Sequence, residues 1–122
     1  MTRPIDFHSA RENGGESWER ADPRQATLAR LSWDQWGIYL PDGKDAHIVT
    51  LRHEDRTYVG KCDCKGDQFS IGPCAHLCTL RKAEAIGYPD VTGASVRIAD
   101  ETDAVDNHIE RAVADGGREI RR

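Results

Sequence analysis

All four cysteines of this 122-residue chain lie within seventeen positions, in the stretch CDCKGDQFSIGPCAHLC. Two short pairs in this stretch, Cys62-x-Cys64 and Cys74-x-His76, offer three sulfurs and one imidazole. Four such ligands can surround one Zn²⁺ tetrahedrally. Because thiols without a ligand are kept reduced inside the cell, the cluster favours a metal site over disulfide bonds. We therefore predict one structural Zn²⁺ held by Cys62, Cys64, Cys74 and His76.

Cys78 is the one cysteine outside these two pairs. On a helical wheel it points away from His76, which favours a small buried thiol, although it could replace Cys74 or His76 as a ligand. The remaining histidines lie in unrelated segments, and we expect them to be surface or turn residues: His8, His47, His53 and His108.

The four predicted ligands bear on whether the chain is an enzyme. They would fill the coordination sphere of zinc and leave no position for an activated water. The sequence contains no HExxH motif, Gly-rich phosphate loop or nucleophile elbow. We therefore expect a non-catalytic module. The alternative is a redox-sensing thiol protein that releases zinc on oxidation, although Cys-x-Cys lacks the spacing of thioredoxin-like sites.

Three runs of residues before and into the cysteines predict strands. Trp36, Ile38 and Leu40 fall on alternate positions, and Pro41-Asp42-Gly43 after them is a strong turn signal. Runs from Ala46 to Arg52 and from Thr57 onward are rich in β-branched residues. We expect a three-stranded antiparallel meander whose third strand leads directly into Cys62.

Three segments have helical signals. Asp22-Pro23 is typical of an N-cap and first helical residue, and predicts a short helix continuing through Leu31. The stretch CAHLCTLRKAEAIG predicts a helix that ends at Gly87, a residue suited to the left-handed C′ position. Apolar residues at i, i+4 and i+8 predict a third helix from about Asp103 to Ala114. Between the last two, residues 91–98 are expected to form a strand or an extended cover.

These elements predict an α+β fold: a short antiparallel β-meander followed by a helix and closed by a structural zinc, in a ββα-like arrangement, with an additional C-terminal helix. We expect residues 1–21 to be a flexible tail, because their apolar residues are few and scattered. Residues 22–99 would form the zinc-finger domain. Residues 100–122 would form the C-terminal helix and tail.

The order Cys62-Asp63-Cys64, nine intervening residues, then Cys74-Ala75-His76 resembles the SWIM zinc finger, whose signature is CxC, a variable spacer and CxH. The resemblance covers residues 36–87 and implies a small prokaryotic member; Arg- and Asp-rich composition is typical of salt-adapted organisms such as haloarchaea. It implies the same four zinc ligands and a DNA-binding or protein-binding module. Asp63 and Ala75 depart from the family's usual pattern, which often has a small polar residue and a basic residue at these positions.

Charge bears on the partner that such a module would bind. The whole chain has a formal charge of −4, so it is not a general polycation. Basic residues nevertheless outnumber acidic ones around the cluster, and we predict that nucleic acid or another protein contacts them: Arg56, Lys61, Lys65, Arg81 and Lys82. We expect no small-molecule substrate. Because no long apolar run and no signal-peptide pattern are present, we expect a cytoplasmic protein without membrane contact.

Overall fold

The computed structural model of the protein describes residues 2–13, 15–41, 45–65 and 72–100. The fold is α+β: in the described part of the chain, helices accompany an antiparallel five-stranded sheet with the strand order β1-β5-β4-β3-β2. The elements are β1 (Arg3–Ile5), α1 (Phe7–Glu12), α2 (Glu16–Arg20), a 3₁₀ turn (Pro23–Gln25), β2 (Thr27–Ser32), β3 (Gln35–Tyr39), β4 (His47–Glu54), β5 (Thr57–Cys62) and α3 (Ala75–Ile86).

The predicted three-stranded meander is confirmed as β3, β4 and β5. Trp36 lies opposite Val49, and Val49 lies opposite Cys62, so the register carries one buried row of side chains from the core to the first cysteine. Strands β4 and β5 are joined by the two residues Asp55 and Arg56, whose φ angles are +51° and +67°. Positive φ at both central residues is the backbone of a tight hairpin turn whose twist matches that of the strands.

The segment after Asp22 begins as predicted and then differs. The Asp22 carboxylate accepts a hydrogen bond from the Arg24 N–H at 3.0 Å, as an N-cap does. The helix nevertheless ends at Gln25, and the next residues form β2, where Leu28 pairs with Ile38 in β3. The helix predicted through Leu31 is therefore wrong, because pairing with the sheet edge buries Leu28 and satisfies the backbone there.

The N-terminal residues differ from the predicted flexible tail. Strand β1 pairs antiparallel with β5, from Arg3 opposite Gly60 to Ile5 opposite Tyr58. Ile5 and Phe7 are each only 4% exposed and belong to the same core as the sheet. The few apolar residues suffice because Ile5, Phe7 and Ala21 are buried and because an otherwise open edge of β5 supplies backbone partners.

Helix α3 packs on the sheet and ends where the sequence predicts. Leu77, Leu80 and Ala83 are fully buried in the core. Gly87 has φ +67°, and the next N–H, that of Tyr88, donates to the Ala83 carbonyl at 2.9 Å. This backbone pattern closes a helix with a left-handed residue, a conformation that glycine adopts without steric cost.

After α3, residues 91–93 form a turn, and residues 94–100 lie as the extended cover that was one of the two expectations for residues 91–98. Val96, Ile98 and Ala99 are buried. The Ala99 carbonyl accepts from the His53 N–H at 2.8 Å, which ties the cover to β4. The helix predicted from Asp103 to Ala114 lies outside the described residues, as does most of the predicted turn at Pro41-Asp42-Gly43.

Candidate metal centre

The four predicted zinc ligands come from two neighbouring elements. Cys62 is the last residue of β5, and Cys64 follows two positions later. Cys74 occupies the N-cap position of α3, and His76 lies in the first turn of that helix. The ligand atoms of these four residues all lie within 4.8 Å of one another.

This donor set fits one zinc ion. Three sulfurs and one imidazole nitrogen form a common structural zinc set, and tetrahedral Zn–S bonds of about 2.3 Å place two sulfurs roughly 3.8 Å apart. The Cys74 Sγ and the His76 Nδ1 are 3.9 Å apart. The three ligand cysteines are buried and His76 is half-buried, so the centre is shielded from solvent on most sides. The arrangement suits a closed structural site with four protein ligands.

The turn that carries the first cysteine pair is fastened to β4 by Asp63. The Asp63 Oδ1 accepts a hydrogen bond from the Ile48 N–H at 3.1 Å and lies 2.8 Å from the His47 Nδ1. The Asp63 N–H donates in turn to the Ile48 carbonyl at 3.3 Å. These contacts hold Cys62 and Cys64 on either side of a short, fixed turn, as supporting hydrogen bonds commonly do around metal ligands.

His47 lies against the metal centre, a contact that the sequence pattern does not predict. Its ring is 4.7 Å from the ring of His76, centroid to centroid, although His47 is not one of the clustered ligands. We expected only an unrelated surface or turn histidine. The strand register explains the contact. Val49 lies opposite Cys62, and because β4 and β5 are antiparallel, His47, two positions before Val49, lies beside Cys64.

The thiols of Cys62 and Cys74 share a hydrogen bond that shifts their pKa values in opposite directions. This hydrogen bond from Cys62, with a further one from His76, lowers the pKa of Cys74 to about 5. The same hydrogen bond and burial raise the pKa of Cys62. Zinc binding would displace any proton that these thiols carry, because the metal takes the thiolate form of cysteine.

Cys78 is the buried thiol that the helical wheel predicts. It is fully buried, and its Sγ lies 3.9 Å from the Pro73 carbonyl oxygen. Burial, followed by the charge of Cys74, raises its pKa to about 12. Because Cys78 is absent from the ligand cluster, the structure gives it a packing role.

The five basic residues predicted to contact a partner are placed differently from one another. Arg56 and Arg81 line one cleft together. Lys61 is exposed on the face of β5 opposite to Gly60 and Cys62, and Lys65 is exposed just after Cys64.

Lys82 makes its contacts within the protein. Its Nζ donates to the carbonyls of Trp18 at 2.6 Å and Ala21 at 2.9 Å, and lies 4.8 Å from the centroid of the Trp18 ring. The ammonium group therefore joins α3 to α2. These contacts argue against the predicted role of Lys82 as a partner contact.

The fold and the site together define an α+β protein with a candidate Cys₃His zinc centre between a strand end and a helix start. Comparison of the chain with models of known families, with curated proteins and with solved structures finds no match. Among the residues that the structure describes, no helix has the length and apolar character needed to cross a membrane.

Proposed function

We propose that this chain is a non-catalytic, zinc finger-like module that holds one structural zinc and binds a nucleic-acid or protein partner. The observation that carries the proposal is the convergence of three cysteine sulfurs and one histidine nitrogen within 4.8 Å. When bound, zinc would supply four bonds that join the end of β5 to the start of α3. These bonds would fix the hairpin against the helix.

A SWIM-type assignment is part of this proposal. It is supported by the CxC and CxH order of the ligands and by a β4–β5 hairpin that leads into helix α3. The unusual Asp63 between the first two cysteines is compatible with it, because its carboxylate accepts a hydrogen bond from the Ile48 N–H and so supports the turn that carries both cysteines.

The zinc assignment is tested by substituting ligands one at a time. Cys62→Ser and His76→Ala should each lose the metal, whereas Cys78→Ser should keep one zinc per chain, since its thiol lies outside the ligand cluster. Zinc is measured by mass spectrometry after dialysis, and folding by the cooperativity of thermal unfolding. Stoichiometric zinc in Cys62→Ser would rule out the proposed ligand set.

The partner is tested by capture from cell extract at low and high salt, with and without nuclease. Loss of captured material after nuclease treatment would support nucleic acid, while nuclease-resistant capture of a defined protein would support a protein partner. A zinc-depleted sample serves as the control. Binding that is identical with and without zinc would separate the interaction from the metal centre.

A redox-sensing role is the second candidate, and the approach of three cysteine sulfurs to within 4.8 Å of one another favours it. A thiolate at neutral pH is the reactive form of cysteine. In that role, oxidant would convert Cys62 and Cys74 to a disulfide, two electrons passing to the oxidant, with release of zinc. Zinc release by mild peroxide, reversed by a thiol reductant, would support it; retention of zinc and of all free thiols would refute it.

A further inference from the structure

A cleft with a volume of about 540 Å³ lies between the N-terminal segment, the start of β5 and helix α3. Its walls include the aromatic residues Phe7, Trp18 and Tyr58 and the arginines Arg11, Arg56 and Arg81. The volume is within the range of pockets that take a small organic ligand. The zinc ligands do not line this cleft, so it is a separate feature of the molecule.

Arg56 occupies a backbone position at which glycine is the favoured residue type. Its φ of +67° lies in the left-handed region, at the second central position of the β4–β5 hairpin, where glycine is strongly preferred. A non-glycine residue there costs stability, and such local costs concentrate at functional positions. The arginine side chain lines the cleft. Its presence is explained if the guanidinium binds a ligand.

The other two arginines complete a cationic wall. Arg81 is positioned by its neighbours: its guanidinium carbon lies 5.3 Å from the centroid of the Tyr58 ring, and its Nη1 is 3.5 Å from the Glu84 Oε1. Arg11 is exposed in the last turn of α1. Within the described part of the chain, neither Arg11 nor Arg56 takes part in an ion pair.

One carboxylate also lines the cleft, that of Asp6. Its Oδ1 accepts a hydrogen bond from the Ser9 N–H at 2.9 Å and caps α1. It therefore has a structural function and offsets only part of the charge of three arginines. The imidazole of His8 lies in the same wall and adds a further potential donor. The cleft is suited to an anion.

We propose that this cleft binds one nucleotide of an unpaired nucleic-acid strand, with Arg11 and Arg56 on the phosphate and Trp18 and Tyr58 beside the base. The inference rests on the proposed function, since it assigns nucleic acid as the partner and gives it a site. Arginine forks match phosphate oxygens, and aromatic side chains beside a cationic groove are typical of proteins that bind single strands. A duplex keeps its base faces stacked and offers none to such a cleft.

The decisive variant is Arg56→Gly, because it removes the guanidinium and relieves the backbone cost at the same time. The probe is a 5′-fluorescein-labelled oligothymidylate of about eight nucleotides, added to the zinc-loaded full chain and followed by anisotropy. The Kd of Arg56→Gly should rise about tenfold while its Tm stays the same or rises. Arg11→Ala should weaken binding by a similar factor. The matched control, Arg30→Ala in β2, is an exposed arginine at the other edge of the sheet and should stay within about twofold.

Three further probes fix the ligand class: thymidine monophosphate, inorganic phosphate and a duplex of the same length. Preference for the single strand over all three, with a salt dependence that weakens in Arg56→Gly, would support the proposal. Equal binding of the duplex, binding of the mononucleotide or phosphate alone, or no binding of the strand would overturn it.

The variants also separate this inference from the proposed function. Wild-type binding by Arg56→Gly and Arg11→Ala, each with one zinc per chain, would overturn the cleft and leave the zinc module intact. Absence of zinc from the wild-type chain would instead contradict the proposed function.

Discussion

Gly60 lies in β5, directly opposite Leu51 of β4. A Cβ at this position would lie 3.0 Å from the Leu51 Cδ1 and closer still to the Thr50 carbonyl oxygen. The Thr50 carbonyl belongs to the backbone of β4, so it cannot turn aside as a flexible side chain would. The limited space between β4 and β5 therefore requires glycine at position 60, two residues before the first predicted zinc ligand.

Gly60→Ala should lower the free energy of unfolding by about 3 kcal/mol, because the added methyl forces β4 and β5 apart. The shift would also move Cys62, so zinc affinity should fall. Chemical denaturation and competition with a zinc chelator measure the two effects. Gly37→Ala is the matched control in β3, where the nearest atom to a new Cβ is 3.8 Å away, and it should be neutral or slightly stabilising. Equal stability of the two variants would contradict this account.

At this scale, local spacing predicts the ligands but not the residues that support them. Cys62, Cys64, Cys74 and His76 are recognisable because their chemistry and their separation along the chain are sufficient evidence. The roles of Asp63, Gly60 and Lys82 depend on which strand or helix lies opposite, which no local pattern contains. Lys82 shows the consequence, since a lysine predicted to contact a partner donates hydrogen bonds to two carbonyls of a segment more than 60 residues away.

At the scale of elements, Tyr58 and Glu84 connect β5 to α3 and to the extended cover. The Tyr58 hydroxyl donates to the Glu84 Oε1 at 3.0 Å, and the Glu84 Oε2 accepts from the Ile98 N–H at 3.2 Å. The Phe7 ring meets the Tyr58 ring edge-on at 5.1 Å and adds the N-terminal segment. The half-buried Tyr58 thus contacts α3 and the N-terminal segment directly, and is linked to the extended cover through Glu84.

Burial, together with the charge of Glu84, raises the pKa of Tyr58 from 10.0 to about 12. The folded state therefore favours the neutral phenol. This contribution to stability is complete below pH 10 and is lost as the pH rises through 12. Between these values the free energy of unfolding should fall more steeply with pH in the wild type than in Tyr58→Phe, as measured by urea denaturation at half-unit intervals.

Tyr58→Phe should also cost about 1 kcal/mol at neutral pH through loss of the hydrogen bond to Glu84. Tyr39→Phe is the control, since this exposed tyrosine of β3 should keep the wild-type pH dependence. Parallel curves for the wild type and Tyr58→Phe above pH 10 would show that the phenol does not couple β5 to α3.

The elements that the sequence predicts well are those with a strong local period or a cap: β3, β4, β5, and α3 with its end at Gly87. Strands β1 and β2 are different, because each is short and is stabilised by a neighbouring strand more than by its own pattern. Leu28 illustrates this, since it follows a valid N-cap yet joins a strand whose partner, Ile38, lies ten residues later. Tertiary pairing overrides the local preference there.

At the scale of the whole molecule, two sets of interactions hold the chain together. One is the apolar core, in which Trp36, Ile38, Leu51 and Leu80 are each no more than 2% exposed. The other is the candidate zinc centre at one end of β5 and α3. The core extends well beyond the metal ligands, so the sheet does not depend on zinc alone, in contrast to very small zinc fingers whose fold requires the metal.

Removal of zinc should therefore loosen one end of the molecule and destabilise the remainder without abolishing the sheet. Without the ion, the four bonds that would join the end of β5 to the start of α3 are absent, and three buried sulfurs lack the metal that would satisfy them. After treatment with a strong chelator, amide exchange should accelerate at least about tenfold from Cys62 to Leu77, while Ile38 and Val49 remain protected. The Tm should fall by about 10 °C or more, because the energy of metal binding contributes to folding. Addition of zinc should restore both readings. Uniform loss of protection would show that the metal holds the entire fold, and unchanged exchange around Cys62 would show that the four ligands close without it.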